Sequence, residues 1–285
     1  MGPTEYAAIA ALGAGVGLIA GAFGVGGGFL LVPLLTGLIG VPVETAVASV
    51  GCFLLGPTTT ALRARRAKLF ELRLPVTVAG GLLVGVLAGA AALDAARGDG
   101  TTRLGGLSTA DAVVCVLDAL LFAALTASRL MSPRGKERSP PRFVAFGPTR
   151  RFAGLEDAVS VPLLCWAATF VGAAAGLLGI AGGVIVLPAL TQGLGMSVRE
   201  ASKASLAIVW IASLQATVVH AAAGRVELGV VVALLACGPA AAFVGSRVAG
   251  RLPDRVLGHG LTGLLAAMAA LSAGRVAFGV LATPG

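Results

Sequence analysis

Apolar residues run along this chain in blocks at 5–24, 27–40, 45–62, 74–95, 109–131, 157–178, 184–195, 201–221, 228–249 and 256–281, with short polar stretches between them. Most blocks reach the roughly 20 residues that a helix needs to cross a bilayer. The blocks 27–40 and 184–195 fall short, because 14 residues of helix extend only about 21 Å against a hydrocarbon core of about 30 Å. The pattern predicts an all-α polytopic membrane protein with eight to ten transmembrane segments. Composition agrees: 57% of the 285 residues are hydrophobic and 12% charged, with mean hydropathy +0.95. A soluble domain carries about a quarter charged residues, so that class is excluded.

The pattern also repeats. A shift of 155 residues lays VGLIAGAFGVGGGFLLVPLLT (Val16 to Thr36) on VGAAAGLLGIAGGVIVLPALT (Val171 to Thr191). The shift matches Gly17 with Gly172, Gly21 with Gly176, Gly24 with Gly179, Gly27 with Gly182, Gly28 with Gly183, Pro33 with Pro188 and Thr36 with Thr191. ALTASRL (Ala124 to Leu130) lies on ALSAGRV (Ala270 to Val276), which extends the duplication through each half. The expected organisation is an N-terminal transmembrane repeat over 1–131, a basic cytoplasmic linker over 132–151 and a C-terminal transmembrane repeat over 152–285.

Charge sets the orientation. The formal net charge is +8, but the 21 Lys and Arg sit mostly in short connections, as in cytoplasmic loops, and do not indicate nucleic acid. Equivalent connections of the two halves carry opposite bias: 63–73 holds five basic residues, and its counterpart holds only Arg225. If the two short blocks cross, 17 basic residues lie inside and 4 outside; if they re-enter, the division is 14 to 7. The positive-inside rule therefore favours five passes per half and inverted repeats.

The glycines invite a functional reading. Gly24, Gly26, Gly27 and Gly28, with Gly179, Gly182 and Gly183, interrupt hydrocarbon in corresponding places of both halves, as broken helices do at transporter binding sites. Backbone N–H groups where helix resumes near Phe29 and Val184 sit at the positive end of a helix dipole and suit a small anion. Close packing is the competing reading, since Gly17, Gly21, Gly24 and Gly28 share one helical face, as do Gly172, Gly176, Gly179 and Gly183. Gly26 and Gly27 lie off that face.

Polar stripes on two further blocks point inward. One carries Lys203, Trp210, Ser213, Thr217 and His220; the other carries Ser49, Cys52, Gly56 and Thr59. Lys203 is the candidate anion ligand or a side chain that snorkels to the interface. Ser49, Ser205 and Gln215, with Thr36 and Thr191, are candidate neutral contacts. His220 is a candidate proton-coupling group or a helix–helix hydrogen-bond partner. Asp118, a mid-span carboxylate without a counterpart in the other half, is either coupling or structural.

Other chemistry is not indicated. The four cysteines are isolated and have no histidine pair near them, so neither a disulfide framework nor a metal site is expected. No ATP-binding loop is present, and GVGLIA at Gly15 to Ala20 follows no strand. Ser213 or Thr217 beside His220 is spaced poorly for a catalytic dyad. The start lacks the basic segment of a cleaved signal peptide.

The paired segments GVGGGFLLVPLL and GIAGGVIVLPAL, followed by TAVASVG and EASKASL, resemble the TauE/SafE family of sulfite-exporter-like membrane transporters. The resemblance covers nearly the whole chain, including HAAAGRVELGVVVALLACGPAAAFVGSRVAGRLP from His220 to Pro253. It implies a multi-pass protein of the bacterial inner membrane that moves sulfite, organosulfonates such as sulfoacetate, or related anions. It makes the loops Gly24 to Gly28 and Gly179 to Gly183 the centre of the path. Where the family often has GTSL, this chain has ASVG (Ala48 to Gly51) and KASL (Lys203 to Leu206). The expectation is therefore a secondary transporter, not an enzyme, working by alternating access without a cofactor, with export favoured over uptake and a homo-oligomer compatible with it.

Overall fold

A computed structural model describes residues 2–65, 73–97, 103–104, 107–131, 147–152, 158–179 and 183–281. The first half holds α1 (Pro3–Phe23), α2 (Gly28–Leu34), α3 (Val43–Ala64), α4 (Arg73–Arg97) and α5 (Thr109–Met131). The second holds α6 (Val161–Leu178), α7 (Gly183–Pro188), α8 (Val198–Ala222), α9 (Leu228–Ala249) and α10 (Asp254–Leu281). The strands described are two-residue pairs in the connections. They are β1 (Arg103–Leu104) with β2 (Leu107–Ser108) and β3 (Thr149–Arg150) with β4 (Val159–Ser160), both antiparallel. The protein is all-α in architecture. Helices α1, α3, α4, α6, α8 and α9 are each long and apolar enough to cross a bilayer.

Small residues set the packing. On α1, Gly13, Gly17 and Gly21 rise one turn at a time and meet Leu234, Gly238 and Ala242 of α9 in the same order. A Cβ on Gly13 would lie 2.6 Å from the Leu234 carbonyl oxygen. Gly81, Gly85 and Gly89 of α4 meet Cys165, Thr169 and Ala173 of α6 in the same way. With no hydrophobic drive between helices in lipid, backbones this close gain dispersion that larger side chains would forbid. The first helix of each half thus lies parallel to, and against, the fourth helix of the other.

The centre belongs to α3 and α8, buried over 61% and 56% of their span against 33–39% for the other four long helices. They cross antiparallel: a Cβ on Gly51 would lie 3.7 Å from Thr217 Oγ1, while the Trp210 indole donates to Thr59 Oγ1 at 2.9 Å. Arg65, just past the end of α3, reaches carbonyls at the end of α1, so α1 and α3 finish at the same face. Two successive helices with the same direction require the chain between them to return.

The block 27–40 therefore carries the chain back from that face to the start of α3. Helix α2 continues into a wider π turn at Leu35–Ile39, and α7 into one at Ala189–Gly193. Each follows a proline, Pro33 or Pro188, which removes an N–H from the ladder. In both π turns a threonine takes up a loosened carbonyl: Thr36 Oγ1 donates to Val32 O and Thr191 Oγ1 to Leu187 O, each at 2.9 Å.

Candidate functional site

Helices α1 and α6 end alike. Gly24 and Gly179 adopt left-handed φ values of 72° and 67° and cap their helices with N–H bonds back to Ala20 O and Ala175 O. Glycine bears this conformation at little cost. Gly26 and Gly27 stay left-handed at 80° and 79°, folding the chain back along α1, where a Cβ on Gly27 would press within 2.7 Å of Val16 Cγ1. Gly182 lies outside the described residues.

The two loops cross at the centre of the molecule. A Cβ on Gly28 would lie 2.6 Å from the Gly179 carbonyl oxygen, and one on Gly183 would strike the carbonyl of Val25. All five residues from Gly24 to Gly28 are buried. The glycines therefore serve both sequence readings, in different places. Gly17, Gly21, Gly172 and Gly176 allow helix packing, while Gly28, Gly179 and Gly183 allow two backbones to pass where side chains would collide.

Helix α8 holds both loops. Ser202 Oγ abuts Gly24 and donates to Phe23 O at 3.4 Å, and Ser205 Oγ donates to Gly183 O at 3.4 Å. Lys203, half-buried, stands between these two serines in sequence. Thr36 and Thr191 are engaged by their own helices, as above. Gln215 ties α8 to α4, its Nε2 donating to Ala79 O at 3.0 Å. Ser49 and Ser213, on the facing central helices, are fully buried with hydroxyls that have no hydrogen-bond partner among the described residues. Asp118 is buried on α5, one turn before Phe122, whose ring packs on Phe29 of α2 at 5.8 Å. A cavity of about 60 Å³ between α4, α6, α7 and α8 is lined only by apolar side chains such as Leu82, Leu164, Val186 and Ile208, which offer nothing to an anion.

Charged groups close both ends of this centre. At one end, Arg65 Nη1 donates to Ser202 Oγ at 2.8 Å, and Nη2 to Gly21 O at 2.8 Å and Ala22 O at 3.1 Å. Burial pushes its pKa down, yet a guanidinium remains protonated at neutral pH. At the other end, His220 Nε2 lies 3.2 Å from Gly176 O, and Arg225 Nη1 lies 2.9 Å from His220 Nδ1. Guanidinium can only donate, so Nδ1 accepts, and the imidazole is neutral with its proton on Nε2. Arg225 in turn pairs with both oxygens of Asp94 on α4.

Arg65, Ser202, Asp94 and Arg225 escape a reading of sequence alone, because basic residues after a span resemble ordinary loop charge. The signal was present: the 155-residue shift lays Arg65 on His220, and the carbonyls they touch, Gly21 and Gly176, are matched by the same shift.

A family model described as "Sulfite exporter TauE/SafE" matches residues 9–272. Comparison with curated proteins and with solved structures returns no match.

Proposed function

Because the chain belongs to the TauE/SafE sulfite exporter family, we propose that it carries a small sulfur oxyanion, sulfite or an organosulfonate such as sulfoacetate, out of the bacterial cytoplasm by alternating access. At the coarser level it is a multi-pass membrane transporter, and the family consists of transporters rather than enzymes. The observation that carries the finer reading is the crossing of two glycine loops midway between two charged closures.

In this reading the chain is built from inverted repeats over 1–131 and 152–285, joined by the basic linker 132–151. The antiparallel pairing of α3 with α8 supports it, as does the exchange of partners between α1 with α9 and α6 with α4. The substrate path runs where the loops Gly24 to Gly28 and Gly179 to Gly183 meet. In the conformation described the loops touch, so they must part to admit the anion to backbone N–H groups and to Ser49, Lys203, Ser205 and Gln215. Asp118 and His220 are the groups available for coupling to protons. His220 can take a proton only after Arg225 leaves its Nδ1.

Flux measured in proteoliposomes decides the matter. Radiolabelled sulfite should move with saturable kinetics, competed by sulfoacetate and not by acetate. Linear flux without saturation would point to a pore, and no flux of any sulfur anion would remove the substrate assignment.

A further inference from the structure

Resting on the anion-transport reading, we propose that Arg65, with Ser202, is the receptor for the oxyanion at the cytoplasmic mouth of the path. Arg65 follows α3 on the face that carries the basic connections, which the positive-inside rule makes cytoplasmic. Its guanidinium is partly buried, and among the described residues its hydrogen-bond partners are all neutral: one hydroxyl and two backbone carbonyls. Its Nε is buried with no acceptor among the described residues. A partly buried cation without a carboxylate beside it, and with an unused donor, retains capacity to bind an anion.

The opposite end shows what such a clamp looks like when it is neutralised. There the position matched to Arg65 is His220, uncharged, and the guanidinium beside it, Arg225, is balanced by Asp94. Both guanidiniums keep a buried Nε without an acceptor among the described residues, but only that of Arg225 is balanced by a carboxylate. The planar fork of a guanidinium suits the paired oxygens of sulfite or a sulfonate, and Ser202 Oγ, 2.8 Å away, supplies a hydroxyl at its rim.

Occupancy also has a mechanical consequence. An anion held by Nη1 and Nη2 would draw the guanidinium from Gly21 O and Ala22 O, and Ser202 from Phe23 O. Those are the contacts that fasten the end of α1 and the turn at Gly24. Binding at the mouth and release of the loop are thus one exchange of hydrogen-bond partners.

The test compares wild type, Arg65→Lys, Arg65→Gln and Ser202→Ala, purified in detergent, by melting temperature against sulfite, sulfoacetate, phosphate, acetate and chloride. A ligand that binds only the folded protein raises stability with its concentration, so each titration gives a Kd separately from the melting point without ligand. Sulfite and sulfoacetate should stabilise wild type. Arg65→Lys should raise their Kd about tenfold, since it loses the fork and keeps the charge, and Arg65→Gln should abolish the response. An unchanged Kd in a folded Arg65→Lys or Arg65→Gln protein would overturn the assignment while leaving transport intact, even if the ligand-free melting point falls. A wild type equally responsive to chloride would overturn an oxyanion receptor. A wild type blind to every sulfur anion would sink the transport reading and this site together.

Discussion

Two glycines two residues apart on opposite faces of one helix make different demands. Gly15 of α1 has nothing within 4 Å of where a Cβ would stand, whereas a Cβ on Gly17 would strike the backbone of Gly238. Gly15→Ala should therefore stabilise the protein by about 0.5–1 kcal/mol, by removing backbone freedom from the unfolded chain. Gly17→Ala should destabilise it by about 1–3 kcal/mol, because α1 and α9 must separate. Melting of the two variants checks this directly, and similar shifts of the same sign would refute the packing account. Spacing alone placed Gly17, Gly21, Gly24 and Gly28 on one face and so left packing and chain reversal as rivals. What separates them is the left-handed backbone at Gly24, Gly26 and Gly27, where an added Cβ would collide with Ser202, Val209 and Val16, neighbours that no local pattern encodes. Arg65 was illegible for a related reason. Its exposure in sequence is that of a loop residue, and only the arrival of α1 and α8 buries it.

At the level of elements, the legible part was periodicity, which marked the apolar blocks; the illegible part was the path of a short block. Helix α2 has 7 residues and its π turn 5, too short by length alone, and the glycine loop before it brings the chain to the centre, where Gly28 meets Gly179. The far closure shows how helices rather than residues are locked. Asp94 belongs to α4, His220 to α8, Gly176 to α6, and Arg225 bridges them from the turn after α8. The Arg225 side chain is 7% exposed and that of Asp94 47%, so the two partners are not equivalent. Asp94→Asn leaves a buried cation uncompensated and should cost about 1–3 kcal/mol, while Arg225→Gln returns a carboxylate to water at lower cost. The double variant should lose less than the sum of the single losses. Additive losses in a double-mutant cycle would show that the pair is not coupled and that the closure is held elsewhere.

For the molecule as a whole, the direction of each helix can be checked without any ligand. Parallel packing of α1 with α9 and of α4 with α6, together with antiparallel α3 and α8, makes α1 and α6 run in opposite senses. Opposite senses put the connections after α3 and α9 on one face and those after α2 and α8 on the other. The basic residues divide 17 against 4 under the same grouping of connections, so the charge bias agrees with the helix directions that the packing gives. Pro42, exposed at the start of α3, is the diagnostic position, because it lies outside if the block 27–40 crosses and inside if that block re-enters. In a variant lacking the four native cysteines, Pro42→Cys should react in intact cells with a membrane-impermeant maleimide. Arg251→Cys, exposed after α9, should react only after permeabilisation. Labelling of both from the same side would contradict the parallel packing of α1 with α9, since Pro42 and Arg251 are held at opposite faces by it. Labelling in the reverse sense would keep the architecture, invert the membrane orientation and move Arg65 to the outer mouth, turning a receptor for export into one for uptake.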